Sequence, residues 1–168
     1  TLFNTLTSGG AWAHNQLFAT LSTRIERWEL GGGTGVMLSD TVGFIRRLPH
    51  HLVASFRSTL EETVHCQLLL LVLDASDPSA LLQLETVEKT LKDIGAEHQP
   101  RLLVLNKIDQ LADPSEKLVW VSRCPDAIQI SAVTNDGIEE LIEEVLLVVI
   151  GSVQEVILSL PSRSSKAI

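Results

Sequence analysis

The sequence predicts an α/β domain built on a mostly parallel sheet covered by helices on both sides. Three observations carry that expectation. Gln67 to Asp74 (QLLLLVLD) and Arg101 to Asn106 (RLLVLN) are near-continuous apolar runs, the pattern of parallel strands buried on both faces. Amphipathic stretches with three- and four-residue apolar spacing stand between and after them. The 168 residues, 45% hydrophobic with mean hydropathy +0.22, suffice for one domain with a buried core.

Taken in order, Thr1-Leu2-Phe3-Asn4 reads as the interior of a helix. Arg24 to Leu30 and Val36 to Ser39 flank GGGTG, a glycine-rich turn suited to a hairpin. Leu81, Leu84, Val87, Leu91 and Ile94 mark a helix over Ser79 to Gly95, which Gly95 can cap. Ala127 to Ser131 (AIQIS) is a shorter strand candidate. Asn135 to Ile150 sets Ile138, Leu141, Ile142, Val145 and Val149 on one stripe, with Glu139, Glu140, Glu143 and Glu144 largely opposite. Each helix is expected to return the chain to the next parallel strand. After Gly151, VQEVILSLP reads as one more strand and SRSSKAI as a frayed or truncated end. The expected division is residues 1–151 for the domain and 152–168 for the start of a C-terminal segment.

Composition excludes several classes. The longest apolar runs, Leu68 to Leu73 and Val145 to Ile150, fall far short of the roughly 20 residues that span a bilayer. No signal-peptide pattern stands at the start, so no membrane segment is expected. Cys66 and Cys124 have no paired spacing, and no CxxC or His-rich cluster occurs; a reducing cytoplasm without disulfide or zinc is expected. The net charge of -8 argues against coating nucleic acid through bulk charge. Residues 1–60 nevertheless hold Arg24, Arg27, Arg46, Arg47 and Arg57 against Glu26, Glu29 and Asp40, a balance of +2. That leaves eight of the 13 basic and eighteen of the 21 acidic side chains to the remainder. An anionic partner would therefore meet the first third.

In open α/β sheets ligands bind beyond the carboxyl ends of the strands, and the polar residues cluster there. Asp40-Thr41-Val42-Gly43 follows VMLS, Asn106-Lys107-Ile108-Asp109 follows RLLVL, and Ser131-Ala132 follows AIQI. An Asp at a strand end can hold magnesium through water, and a glycine three residues on lets its N–H approach a terminal phosphate. A carboxylate after Asn-Lys can accept hydrogen bonds from guanine N1–H and the exocyclic amine, which adenine cannot supply, while the Lys stem lies over the base. The Ala132 N–H could then hold the guanine carbonyl oxygen. Singly, each motif could be a cap or a polar turn; together, each at a strand end, they point to a guanine nucleotide.

The motifs as they stand resemble one family. LFATL, then LSDTVGFIRRLPHHLVASFRSTLEE, LLLLVLDASDP and LLVLNKID are similar to the GTP-binding domain of the HflX family, ribosome-associated members of the translation-factor-like GTPases, over nearly the whole chain. The resemblance implies a three-layer, Ras-like P-loop GTPase G domain. It further implies GTP/GDP and Mg2+ as cofactors, a cytoplasmic monomer, and a partner in the large ribosomal subunit and its ribosomal RNA, with separation of stalled subunits as the task. By position, Thr20 resembles the first-switch threonine that ligates magnesium, within Phe18-Ala19-Thr20-Leu21-Ser22 lining the nucleotide, although the family usually has Asp where Ser22 stands. Asp40 to Gly43 match the second switch, with Asp40 on magnesium through water. Asn106, Lys107, Ile108 and Asp109 match the guanine-reading motif, and Ser131, Ala132 and Val133 the loop over the base. Phe44 occupies the place where many GTPases carry a water-orienting Gln. An apolar ring cannot orient water, so hydrolysis is expected to be slow until a partner completes the site. Arg46, Arg47, His50, His51 and Arg57 are candidates for contact with ribosomal RNA phosphates.

One motif of such a GTPase is missing from these residues. No GxxxxGK[ST] phosphate loop occurs, whereas the family reads GKSTLFN where this chain reads TLFN. The expectation is a G domain without its first strand and phosphate loop, binding nucleotide weakly by itself. Two other readings compete: a nucleotide-independent ribosome or RNA interaction module, and a receiver-like phosphoacceptor using Asp40 and Asp74. The second would show no guanine preference, against NKID.

Overall fold

The structure, a computed structural model, describes residues 1–7, 24–40, 64–111 and 113–151. The chain runs α1 (Leu2–Thr7), β1 (Arg24–Gly31), β2 (Thr34–Asp40), β3 (Leu69–Asp74), α2 (Ala80–Asp93), β4 (Arg101–Asn106), a single 3-10 turn (Ile108–Gln110), α3 (Pro114–Arg123), β5 (Ile128–Gln129) and α4 (Ile138–Gly151).

β1 and β2 form the expected antiparallel hairpin, with Trp28 opposite Val36 and Arg24 opposite Asp40. Gly31, Gly32 and Gly33 take φ of 93°, 60° and 81° in its turn, a backbone that side-chain-bearing residues rarely adopt. Alternation turns Trp28 and Leu30 inward, while Ile25, Arg27 and Glu29 face out.

β3, β4 and β5 form a parallel sheet in that order, Asp74 lying beside Asn106. Parallel neighbours need a crossover, and α2 and α3 supply the two. Helix α2 closes as a Schellman motif: Gly95, at φ 76°, donates to Lys92 O, and Ala96 donates to Leu91 O. Helix α3 lies in a stretch that the apolar pattern does not mark. Its start is nonetheless written locally: Asp113 accepts from Ser115 N at 2.8 Å, Pro114 follows the cap, and Glu116 sits in the first turn.

Val104 and Leu105 show that the sheet is covered on both sides. Both are 0% exposed, yet they belong to opposite cores. Val104 packs with Leu6, Trp28, Leu30, Ile130, Leu141 and Val145, which joins α1, the hairpin and α4. Leu105 packs with Leu73, Ala80 and Trp120 from the α2 and α3 side. Emptying one such fully buried leucine position costs roughly 2–5 kcal/mol.

Two expectations change. The strand expected at Ala127 to Ser131 pairs only as Ile128–Gln129, because the backbone turns at once: Ile130 O accepts from Ile108 N and Ser131 N donates to Asp136 O. β3 is not buried on both faces throughout, Val72 being 45% exposed. Among the described residues β3 pairs only with β4, and β2 only with β1. Between the free edges of β2 and β3 lies a cavity of about 470 Å³, walled by Leu38, Ser39 and Asp40 on one side and Leu70 to Leu73 on the other. The strand expected at VQEVILSLP lies outside the described residues.

Candidate functional site

The carboxyl ends of β4 and β5 bring two separate motifs together. As β4 ends, the Asn106 side chain turns back, and its Oδ1 accepts from the N–H of Lys107 at 2.8 Å and of Ala132 at 3.1 Å. Lys107 takes a left-handed backbone, φ 67°, which costs a non-glycine residue about 1 kcal/mol or more. That turn launches the 3-10 segment and places Asp109 on the surface.

From the other side, Ser131 is 0% exposed, and its hydroxyl is fully employed. Its Oγ donates to Asp109 Oδ1 at 2.6 Å and accepts from the amides of Val133 and Thr134 at 3.3 and 3.1 Å. One oxygen of Asp109 is thus held from behind by a buried donor, which aims the carboxylate outward. Asn135, at φ 66°, and Gly137, at φ 72°, complete the tight return into α4. A Cβ on Gly137 would stand 2.1 Å from Gln129 O, so this loop lies against β5 closely enough to require glycine.

The Ala132 amide, expected from the sequence to receive a guanine carbonyl oxygen, is engaged by Asn106 in this structure. A carbonyl oxygen arriving there would share or displace that bond. Val133 is exposed at the mouth of the loop.

Three further groups border this face, none of them singled out by sequence reasoning as holding the site. Thr5 Oγ1 in α1 donates to Ala132 O at 3.0 Å, tying the first helix to the loop. Lys107 Nζ donates to Asp74 Oδ2 at 2.6 Å. Ser76 Oγ and Ser76 N donate to the other oxygen of Asp74, at 2.6 and 3.0 Å. Partial burial pushes the Asp74 carboxyl up, but the Lys107 ammonium and the Ser76 donors outweigh it and hold the group below the usual carboxylate range. The only advance signal was that two apolar runs end in Asp and Asn.

Asp40 ends β2 on the wall of the cavity. Burial pushes its carboxyl up, against a smaller opposing effect of Arg24. A partly buried lone carboxylate fits a hard divalent cation held through water, since a cation offsets the cost of keeping it ionised. No cluster of three or more His, Cys, Asp or Glu able to hold a metal occurs among the described residues. Phe18, Ala19, Thr20, Leu21, Ser22, Thr41, Val42, Gly43 and Phe44, and the basic residues Arg46, Arg47, His50, His51 and Arg57, lie outside the described residues. No described helix is long and apolar enough to cross a membrane.

Comparison with known proteins adds a family. Residues 1–107 match the family described as 50S ribosome-binding GTPase. GTPase HflX of Magnetococcus marinus is 44% identical over 144 residues, 86% of this chain and 33% of that protein. GTPase HflX of Escherichia coli K12 is 40% identical over 167 residues, 99% of this chain and 39% of that protein. The chain therefore spans about a third of the length of the curated relatives it matches. Among solved structures, that of SsGBP in complex with GDP superposes with a TM-score of 0.70 at 31% identity, covering 90% of this chain and 46% of the other.

Proposed function

This chain belongs to the 50S ribosome-binding GTPase family, on its HflX branch, and from that premise we propose that it forms the GTP-binding and GTP-hydrolysing domain of an HflX-type GTPase. The observation that carries the proposal is the convergence of Asn106 with Ala132 and of Asp109 with Ser131 at the carboxyl ends of β4 and β5. Two motifs more than twenty residues apart meet at one edge of the sheet, which supports a shared surface with the Asp109 carboxylate as its acceptor for guanine.

In this reading Asp109 accepts from guanine N1–H and the exocyclic amine. Lys107 lays its methylene stem along the base, and Ser131 with Ala132 and Val133 closes the loop over it. Ile108 keeps the turn seated. Asp40, with Thr20, holds the water and oxygen shell of Mg2+, whose role when bound is to neutralise charge between the terminal phosphates. Gly43 offers its amide to the terminal phosphate, and Phe18, Ala19, Leu21 and Ser22 line the nucleotide. Phe44 cannot orient the attacking water, so hydrolysis stays slow until a partner completes the site. That partner is the large ribosomal subunit, met through its ribosomal RNA by the basic residues of the first third, and the task is separating stalled subunits. The protein works as a cytoplasmic monomer.

Asp109→Asn tests the guanine site. An amide donates where the carboxylate accepted, so GDP affinity should fall about 100-fold or more and xanthosine diphosphate should gain. Titration of both nucleotides against the full-length protein decides it; unchanged GDP binding overturns the assignment.

A further inference from the structure

We infer that Asp74 is a positioning residue for base recognition: it anchors the Lys107 ammonium, and so fixes the stem that covers the guanine. The inference rests on the guanine-site reading above and adds a residue from a different strand.

The geometry is specific. Asp74 closes β3, and parallel register sets it directly beside Asn106, the last residue of β4. Lys107 is next, with its backbone committed to the left-handed region. Its Cα is therefore fixed by the turn, and its Nζ is fixed 2.6 Å from Asp74 Oδ2. A chain of four methylenes tied at both ends has few rotamers left, whereas a free lysine loses its rotamer freedom only when the base arrives.

Asp74 is itself prevented from turning. Ser76 occupies its Oδ1 through two hydrogen bonds, leaving Oδ2 for the lysine. Gln110, which closes the 3-10 turn bearing Asp109, lies 3.3 Å from Ser76 Oγ. The carboxylate that orients Lys107 is thus linked to the turn that presents Asp109. The pair is partly exposed, Lys107 at 45% and Asp74 at 32%, so its value lies in orientation and less in stability.

The test is a double-mutant cycle on GDP affinity in the full-length protein, with Asp74→Asn, Lys107→Ala and the combination. Asn keeps an acceptor for Ser76 and removes only the charge that holds the ammonium. GDP affinity is expected to fall about tenfold in Asp74→Asn with the melting temperature little changed, and not to fall further when Asp74→Asn is added to Lys107→Ala. Ser76→Ala, which removes one of the two hydrogen bonds on Asp74 Oδ1 but leaves the ion pair, should lower the affinity by less than Asp74→Asn does. Equal losses from Asp74→Asn in both backgrounds, or no loss in either, overturn the inference. Asp109→Asn run alongside separates the two readings: a switch to xanthosine diphosphate with no Asp74 effect removes the positioning role alone, and failure of both removes the guanine site.

Discussion

Ser131 donates a 2.6 Å hydrogen bond to Asp109 from a position with no solvent exposure, across 22 residues of chain. The carboxylate proposed to read guanine is thereby held from the protein interior and not by its own turn. Ser131→Ala should release it and leave the amides of Val133 and Thr134 without their acceptor. A stability loss of roughly 1–3 kcal/mol in urea denaturation is expected, with about tenfold weaker GDP binding. A variant with wild-type affinity would show that Asp109 needs no such support.

Gly137→Ala should be costlier to the fold. The new Cβ would meet backbone, Gln129 O at 2.1 Å, in a left-handed conformation besides. Displacing β5 or the loop is expected to cost about 2–4 kcal/mol. Denaturant midpoints of the two proteins check this, and a difference below about 0.5 kcal/mol would contradict the close approach.

Asp40 and Asp74 should respond to pH in opposite directions. The folded-state pKa of Asp40 is raised by burial, so its contribution favours the fold below the unfolded pKa and is lost as pH rises through the folded value. That of Asp74 is lowered, so its contribution is present above the unfolded pKa and is lost as pH falls through the folded value. Asp40→Asn is accordingly expected to raise the melting temperature at neutral pH while weakening the Mg2+ dependence of nucleotide binding. A lower melting temperature at neutral pH would refute the burial argument.

The cavity between β2 and β3 predicts how the 168 residues behave by themselves. Among the described residues the facing edges of β2 and β3 have no strand partner across a gap of about 470 Å³, and the sequence holds no GxxxxGK[ST] motif for phosphates. The isolated chain should aggregate readily and bind GDP more weakly than micromolar. Microcalorimetry with GDP and magnesium is the check, and micromolar or tighter binding would refute the expectation.

Much of this fold was readable from local pattern. Gly95 capped α2 where the apolar periodicity stopped, GGGTG turned the hairpin, and RLLVLN spans the strand residue for residue. These are properties of a few consecutive residues: φ freedom at glycine, period 3.6 against period 2, and an unbroken apolar run. Helix α3 escaped because its outward Leu118, Val119 and Val121 blur the stripe; Asp113-Pro114-Ser115-Glu116 carried the start signal. β5 is shorter than its apolar pattern suggests because Ile130 still bonds Leu105 and Ile108 but Ser131 N turns away to Asp136 O.

By itself the sequence determined which side chains reach the carboxyl face: Asp40, Asp74 and Asn106 at strand ends, and Ser131 two residues past β5. Tertiary structure alone decided who holds whom. Lys107 meets Asp74 from 33 positions away, and Thr5 meets Ala132 from 127. Local propensity sets the backbone within a few residues, whereas an ion pair between strands depends on their order and register, which arise only when buried faces such as those of Val104 and Leu105 choose their neighbours.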